Sequence, residues 1–190
     1  MGGHVGNAAT FLIETLFGIY ILIVMVRLLL QWVRADFYNP LSQFIVKATQ
    51  PVLAPMRTAL PSVGGIDLAC VVLLVVLQLA ELWLVTGLLG HRVAVIALLV
   101  LSVAEIVQLA IYVFLFSILI QVIMSWINPG SYNPLLSVLY SLNEPLLTPA
   151  RRIVPPIGGL DLSPIAVMVA LQLVAILVVG PLRQIAGTLG

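Results

Sequence analysis

The sequence contains very little charge. Only 8% of its 190 residues are Asp, Glu, Lys or Arg, whereas 62% are hydrophobic, and the mean hydropathy is +1.22. A soluble domain usually carries about 25% charged residues. There is too little polar material here to cover the surface of a globule in water. The composition therefore predicts an integral membrane protein.

Cysteine and histidine are also scarce. The single cysteine, Cys70, excludes an intramolecular disulfide and a multi-cysteine metal site, and His4 and His91 are the two histidines. The chain has no HExxH, P-loop or CxxC motif. Its basic residues form no stripe interleaved with aromatics. We expect no enzymatic activity, no catalytic residue, no cofactor, no metal site and no direct binding of nucleic acid.

Four long apolar runs are present instead, at about residues 10–33, 68–89, 93–127 and 162–182. Roughly 20 apolar residues cross a bilayer core as a helix, which predicts an all-α protein with four transmembrane helices. The third run contains neither Gly nor Pro, so it is predicted to be one helix of about 50 Å. The sequence leaves open whether residues 91–104 form a separate interfacial helix or the start of a tilted span.

The chain is an internal duplication. A shift of 94 positions aligns two proline-rich stretches without a gap, placing Trp32 on Trp126 and Pro51 on Pro145. We predict a first unit at residues 1–90 and a second at 91–190, each a helix, a loop and a helix. The loops, 34–67 and 128–161, are called here the first and second connector. Because each unit crosses the membrane twice, the units are predicted to be parallel.

The basic residues indicate an orientation. The connectors contain Arg34, Lys47, Arg57, Arg151 and Arg152, whereas the opposite side holds Arg92 and Arg183. Cytoplasmic loops carry the excess of Lys and Arg. We therefore expect the chain in the bacterial inner membrane, with cytoplasmic connectors and periplasmic termini.

Each connector carries the same turn motif. Asn39–Pro40 and Asn133–Pro134 fit the N-cap and first position of a helix, and apolar residues follow at helical spacing. The pattern predicts an amphipathic helix in the membrane interface, ended by Pro51 or Pro145. Gly64–Gly65 and Gly158–Gly159 then permit a sharp turn with positive φ.

An arginine and an aspartate recur in both connectors and define a candidate loop site: Arg57, Asp67, Arg151 and Asp161. One hypothesis is a charged site at the inner face for lipid phosphate, a partner or an ion. The alternative, which we favour, is architectural. Each aspartate caps the following helix, and each arginine satisfies loop carbonyls or reaches headgroups.

Polar residues within the apolar runs form a second candidate group: Glu14, Gln78, Glu81, Glu105, Gln108 and Gln172. Ionisable groups in a span are costly and mark functional sites by default. A cation or proton path and simple interhelical hydrogen bonds fit this pattern equally, and we favour the second. Arg27 lies one turn from Gln31 and is predicted to extend towards the headgroups.

The stretches "YNPLSQFIVKATQPVLAPMRTALPSVGGIDL" and "YNPLLSVLYSLNEPLLTPARRIVPPIGGLDL" resemble the YggT/YlmG family of small membrane proteins. The resemblance covers nearly the whole chain, and the frame NP…P…P…R…P…GG.D occurs twice, as in the two-unit YggT branch. The resemblance implies links to osmotic-stress tolerance, ion homeostasis, cell division or haem attachment in plastids. A haem role transfers poorly, because the motifs contain no histidine.

Two functional hypotheses follow. The first is a scaffold or assembly factor whose connectors bind a protein partner or a second copy, with membrane lipids around it. The second is an ion transporter, channel or accessory subunit that uses the acids in the spans. The sequence identifies neither the partner nor the transported species.

Overall fold

A computed structural model describes residues 2–127, 133–155 and 161–190. The described residues form helices and turns without a named strand, which confirms the predicted all-α fold. The helices are α1 (Gly2–Trp32), α2 (Pro40–Arg57), α3 (Leu68–Leu88), α4 (Val95–Ile127), α5 (Pro134–Ile153), α6 (Ser163–Val174) and α7 (Gly180–Leu189). A π-helical segment, Ala175–Val179, joins α6 to α7.

Four helical stretches are long and apolar enough to cross a membrane. They are Gly6–Trp32, Leu68–Leu88, Val95–Ile127 and Ser163–Leu189. The number of spans agrees with the sequence, but the first and last helices extend beyond the predicted limits of 10 and 182. No proline lies between Gly2 and Pro40, so α1 can begin before the first apolar run. No proline follows Pro181, so α7 can continue beyond the last one.

Helix α4 is one uninterrupted helix, as its lack of Gly and Pro predicts. Helix α7 packs against α4, and Gly190, directly after α7, lies beside the Ala97 side chain in the first turn of α4. Ala97 and Ser102 are buried in this region. The start of α4 is therefore packed within the chain, and residues 95–104 belong to the long helix.

The last span contains a local change of helical pitch. The Gly180 amide donates to the Ala175 carbonyl, which is the i to i−5 bond of a π turn. Pro181 follows immediately and has no amide hydrogen to donate. The wider turn beside this proline lets the chain continue as one span.

Helices α2 and α5 pass through internal prolines, so the prediction that Pro51 and Pro145 end them is wrong. A proline inside a helix costs about 3 kcal/mol because a hydrogen bond is lost. Pro51 and Pro145 lie on exposed faces, where the freed carbonyls can meet water or headgroups. The opposite faces bury Leu53 and Leu147, and this packing offsets the cost.

The two connectors meet at one end of the helical bundle. The Asn39 Nδ2 amide donates to the Pro134 carbonyl at 2.6 Å, and α2 packs against α5. The same positions are buried in both helices, for example Ile45 in α2 and Leu139 in α5. The repeats therefore run in the same direction, as two membrane crossings per unit require.

The turn before α3 has the predicted conformation. Gly64 and Gly65 have φ angles of 61° and 86°, which residues with a Cβ rarely adopt. Val63 and Ile66 exchange two backbone hydrogen bonds of 3.0 Å across this turn. The equivalent Gly158–Gly159 lies outside the described residues.

Candidate functional site

The structure brings Arg57 and Asp67 together at the junction of α2 and α3. The Arg57 Nε atom donates to Asp67 Oδ2 at 3.0 Å, and Nη2 donates to the same oxygen. Asp67 Oδ1 accepts the Ala69 amide at 3.1 Å, so this residue is also the N-cap of α3. The Cys70 thiol donates to Oδ2 at 3.4 Å.

Asp67 is a fully buried carboxylate, with a relative exposure of 0%. Burial alone raises the pKa of this carboxyl, but hydrogen bonds from Arg57 and Cys70 outweigh burial and hold the pKa below its usual value. The contacts of this site therefore stabilise the ionised form of Asp67. Removing its partner would leave a buried charge uncompensated.

The second connector repeats the pair in a more exposed setting. The Arg151 Nε atom donates to Asp161 Oδ2 at 3.0 Å, with side-chain exposures of 38% and 41%. Asp161 Oδ1 accepts the Ser163 amide at 2.9 Å, at the start of α6. Arg151 also bonds Glu144 at 3.2 Å. The hydrogen bond that Arg151 donates to Asp161, together with attraction to Glu144, raises the pKa of Arg151.

The four residues of the candidate loop site form two separate pairs. Among the described residues, no hydrogen bond or ion pair joins the Arg57 pair to the Arg151 pair. Each pair closes its own connector onto the next span. This arrangement fits the architectural interpretation of the motif.

The asparagines of the turn motif cap the connector helices. Asn39 Oδ1 accepts the Leu41 amide at 3.0 Å, and Asn133 Oδ1 accepts the Leu135 amide at 2.9 Å. Pro40 and Pro134 occupy the first helical positions, where a missing amide hydrogen costs nothing. The local structure of both starts follows directly from the sequence motif.

Four of the intramembrane polar residues gather around one cavity of about 230 Å³. They are Gln78, Glu81, Glu105 and Gln108. The Gln78 side chain donates to Glu81 Oε2 at 3.0 Å. The cluster joins α3 and α4 within the spans.

Arg183 is a member of this cluster that the sequence analysis did not include. Its Nε and Nη2 atoms donate to the two carboxylate oxygens of Glu105, both at 2.9 Å. Bidentate pairing is the strong form of this interaction. A signal was available, because an arginine and a glutamate within apolar runs each need a partner.

The other two intramembrane candidates lie elsewhere. Glu14 on α1 and Gln172 on α6 are exposed on the outside of the bundle and do not line this cavity. The structure therefore gathers only part of the predicted polar group.

The sequence predicted that Arg27 extends towards the headgroups, but in the structure it is buried. It is only 6% exposed, and its guanidinium lies 5.8 Å from the centre of the Phe37 ring. Its Nε and Nη1 atoms are buried, and no acceptor within the described part of the chain bonds them. The reason is local: Phe37 follows the end of α1 and lines, with Arg27, a cavity on this side.

The second repeat contains a buried polar network at the equivalent depth. The Ser117 hydroxyl donates to Asn143 Oδ1 at 2.6 Å, and Asn143 Nδ2 donates to Gln121 Oε1 at 2.8 Å. Gln121 aligns with Arg27 in the duplication. Neither Gln121 nor Asn143 was predicted as a site residue, although the offset of the duplication places Gln121 on Arg27.

Two parallel helix–connector–helix repeats with four apolar spans define a multi-pass helical membrane protein. The model of the CCB3/YggT family matches the chain twice, over residues 6–88 and 100–182. The chain belongs to this family, and the double match confirms the duplication.

Three relatives cover most of the chain. An uncharacterized protein of Pseudomonas aeruginosa is 46% identical over 183 residues, which are 95% of this chain and 93% of that protein. A Vibrio alginolyticus protein named for the proC 3' region is 44% identical over 183 residues, 93% of this chain and 97% of its own. The uncharacterized protein YggT of Escherichia coli K12 is 33% identical over 168 residues, 88% and 87% of the two chains. No solved structure matches the chain.

Proposed function

We propose that this protein is a non-enzymatic scaffold or assembly factor of the bacterial inner membrane. Its working surface is the platform formed by α2 and α5 together. Both act as amphipathic helices in the headgroup region, with one face packed on the spans and the other available to a protein partner or a second copy. Links to envelope, osmotic-stress or division processes come from the family resemblance.

The observation that carries the proposal is the direct joining of the two connectors. The hydrogen bond from Asn39 to the Pro134 carbonyl holds the starts of α2 and α5 together. The Arg57–Asp67 and Arg151–Asp161 pairs fix their ends to the next spans. A surface held at both ends loses little conformational entropy when a partner binds it.

The outer side of this platform carries apolar side chains. Phe44 on α2 is 62% exposed and Tyr140 on α5 is 44% exposed.

The excess of Lys and Arg in the connectors favours a cytoplasmic location for them. Labelling of Lys47→Cys and Gly187→Cys variants with an impermeant maleimide tests this orientation. We expect Gly187→Cys to react in intact spheroplasts and Lys47→Cys to react only after lysis.

Photo-crosslinking tests the scaffold role. A photoreactive amino acid is placed at Phe44, at Tyr140 or at Trp83, an exposed residue of α3 that serves as the lipid-facing control. We expect a discrete protein adduct from the two platform positions and none from Trp83. The Arg57→Ala, Arg151→Ala double variant should lose the adduct, whereas Glu81→Gln should keep it. Equal or absent adducts at all three positions would contradict the proposal.

Ion permeation is the second candidate function. It is favoured by the cavity of about 230 Å³ in the spans, which Glu81 and Glu105 line. Against it, both Glu105 oxygens accept from Arg183, and Glu81 is bonded to Gln78. Structural pairing accounts for these groups without a path.

Purified protein in liposomes distinguishes the two candidates. Under the scaffold proposal, proton and cation flux should equal that of empty vesicles under any gradient. Flux above this background that is lost in Glu81→Gln and kept in the Arg57→Ala, Arg151→Ala variant would favour permeation instead.

A further inference from the structure

The first repeat contains a cationic cavity between α1 and α2. Its volume is about 810 Å³, and its lining includes Arg27, Lys47 and Arg57 but no acidic residue. Three glutamines, Gln31, Gln43 and Gln50, add hydrogen-bonding groups. Arg57 is already paired with Asp67 behind the cavity wall, whereas Arg27 and Lys47 form no ion pair among the described residues. A concave site with this excess of positive charge favours an anion.

Arg27 is the group that most clearly lacks a partner. Its relative exposure is only 6%. Its Nε and Nη1 nitrogens donate no hydrogen bond to any described residue. A buried charge normally has a counter-ion and satisfied hydrogen bonds. The Phe37 ring face offers only a cation–π contact at 5.8 Å. An acceptor is therefore missing from this site.

Asp67 does not supply that acceptor. Asp67 Oδ2 accepts from Arg57 and Cys70, and Oδ1 accepts the amides of Ala69 and Cys70. Gln31 Oε1 accepts from Arg57 at 3.4 Å. Arg27 remains without an anionic acceptor.

The second repeat provides an internal comparison. Its equivalent cavity, of about 330 Å³, is lined by Gln121, Arg151 and Asp161. Gln121 replaces Arg27 and is bonded to Asn143, and Glu144, which aligns with Gln50, bonds Arg151. The single cationic side chain that lines the second cavity, Arg151, is thus paired with Asp161 and Glu144, whereas in the first cavity Asp67 pairs with Arg57 and leaves Arg27 without an anion among the described residues.

We propose that the first cavity binds a phosphate group through Arg27, with Lys47 and Arg57 contributing charge. Guanidinium groups bind phosphate oxygens bidentately, and such charge-assisted hydrogen bonds are strong. The phosphate belongs either to a lipid headgroup or to a water-soluble compound, and the chemistry of recognition is the same. The proposal does not depend on the scaffold role.

Thermal unfolding of the full-length, delipidated protein in detergent tests this site. The probes are mixed micelles with phosphatidylglycerol, mixed micelles with phosphatidylcholine, and inorganic phosphate or glycerol phosphate in solution. We expect a saturable rise in Tm with an anionic phosphate probe. Loss of one charge-assisted contact should weaken binding at least about tenfold in Arg27→Gln. Without a probe, Arg27→Gln should be no less stable than the wild type, because an unpaired buried charge is removed.

Two further variants complete the test. Lys47→Gln changes an exposed residue, so the variant should fold as the wild type does. Because one positive charge is lost from the cavity, it should bind the phosphate probe more weakly than the wild type. Arg151→Gln is the matched control in the second repeat and should bind as the wild type does. Saturation with phosphatidylglycerol alone assigns a headgroup, and saturation with soluble phosphate assigns a free anion. No rise in Tm with any probe, or the same affinity in Arg27→Gln, Lys47→Gln and wild type, would overturn the proposal.

Discussion

The two connectors share one motif but place its charges in different surroundings. In the first connector, Asp67 is fully buried and Arg57 is 28% exposed, whereas in the second the paired side chains are 38% and 41% exposed. The first repeat also buries Arg27, whose Nε and Nη1 atoms have no acceptor in the ranges that the structure describes. The second buries an amide network in which Asn143 bonds both Ser117 and Gln121.

This difference separates what the duplicated motif determines from what it leaves free. In both connectors an Asn-Pro pair starts the helix, and an arginine–aspartate pair joins its end to the next span. The positions that lie against the spans decide how deeply each ion pair is buried. Exposed ion pairs contribute about 0–1 kcal/mol, whereas breaking a buried pair costs about 3–5 kcal/mol. The same motif therefore contributes unequally to the stability of the two repeats.

Removal of the two aspartates is the largest test of this inequality. Asp67→Ala removes the cap of α3 and leaves Arg57 without its main partner, so we expect a loss of about 3–5 kcal/mol in the free energy of unfolding. Asp161→Ala should cost about 1 kcal/mol, since water replaces its contacts. Reversible unfolding in mixed micelles, followed by circular dichroism, measures both. Equal losses would mean that the connectors are energetically equivalent.

The buried amide network predicts the opposite asymmetry at another pair of aligned positions. Asn143→Ala removes the donor to the buried Gln121 oxygen and leaves the Ser117 hydroxyl only the Phe114 carbonyl as a partner. This should cost about 1–3 kcal/mol. Thr49, its counterpart, bonds the Ile45 carbonyl of its own helix at 2.8 Å. Thr49→Ala should therefore cost less than about 1 kcal/mol. The same unfolding assay compares them, and a larger loss in the first repeat would contradict the network's role.

The sequence predicted most of the fold because its signals are local or repeated. Apolar length determines the spans, Asn39 and Asp67 cap helices through atoms two residues away, and Gly64–Gly65 adopt the expected positive φ. The offset of the duplication then determines that the repeats are parallel. Each of these inferences needs only neighbouring residues or a direct comparison of the two halves.

The wrong or missing predictions depend on how side chains pack in the folded protein. Whether Pro51 ends a helix depends on packing of the opposite face, and here burial of Leu53 outweighs the lost hydrogen bond. The bond between Arg183 and Glu105 spans 78 positions. The burial of Arg27 depends on where Phe37 lies after α1 ends. None of these follows from periodicity or composition.

Acid should destabilise the first connector more than the second. The pKa of Asp67 is lowered in the folded state, so the folded protein binds fewer protons than the unfolded chain near its usual pKa of about 3.9. Its stabilisation is present at neutral pH and decreases as the pH falls through the folded-state value. Asp161 shares this direction but is more exposed. We therefore measure the free energy of unfolding from pH 6 to pH 3 in both variants. Its change with pH should be reduced more by Asp67→Asn than by Asp161→Asn.

The two helix caps provide the smallest test. Asn133→Ala removes one side-chain bond to the Leu135 amide and should cost about 1 kcal/mol, as other cap deletions do. Asn39→Ala removes the equivalent cap and also the bond to the Pro134 carbonyl, which joins the connectors. We expect it to cost about 1 kcal/mol more, since a net hydrogen bond contributes about that amount. Asn39→Asp separates the two effects, because it keeps the cap acceptor and loses the amide donor. If Asn39→Asp were as stable as the wild type, the contact between the connectors would contribute nothing to holding α2 beside α5.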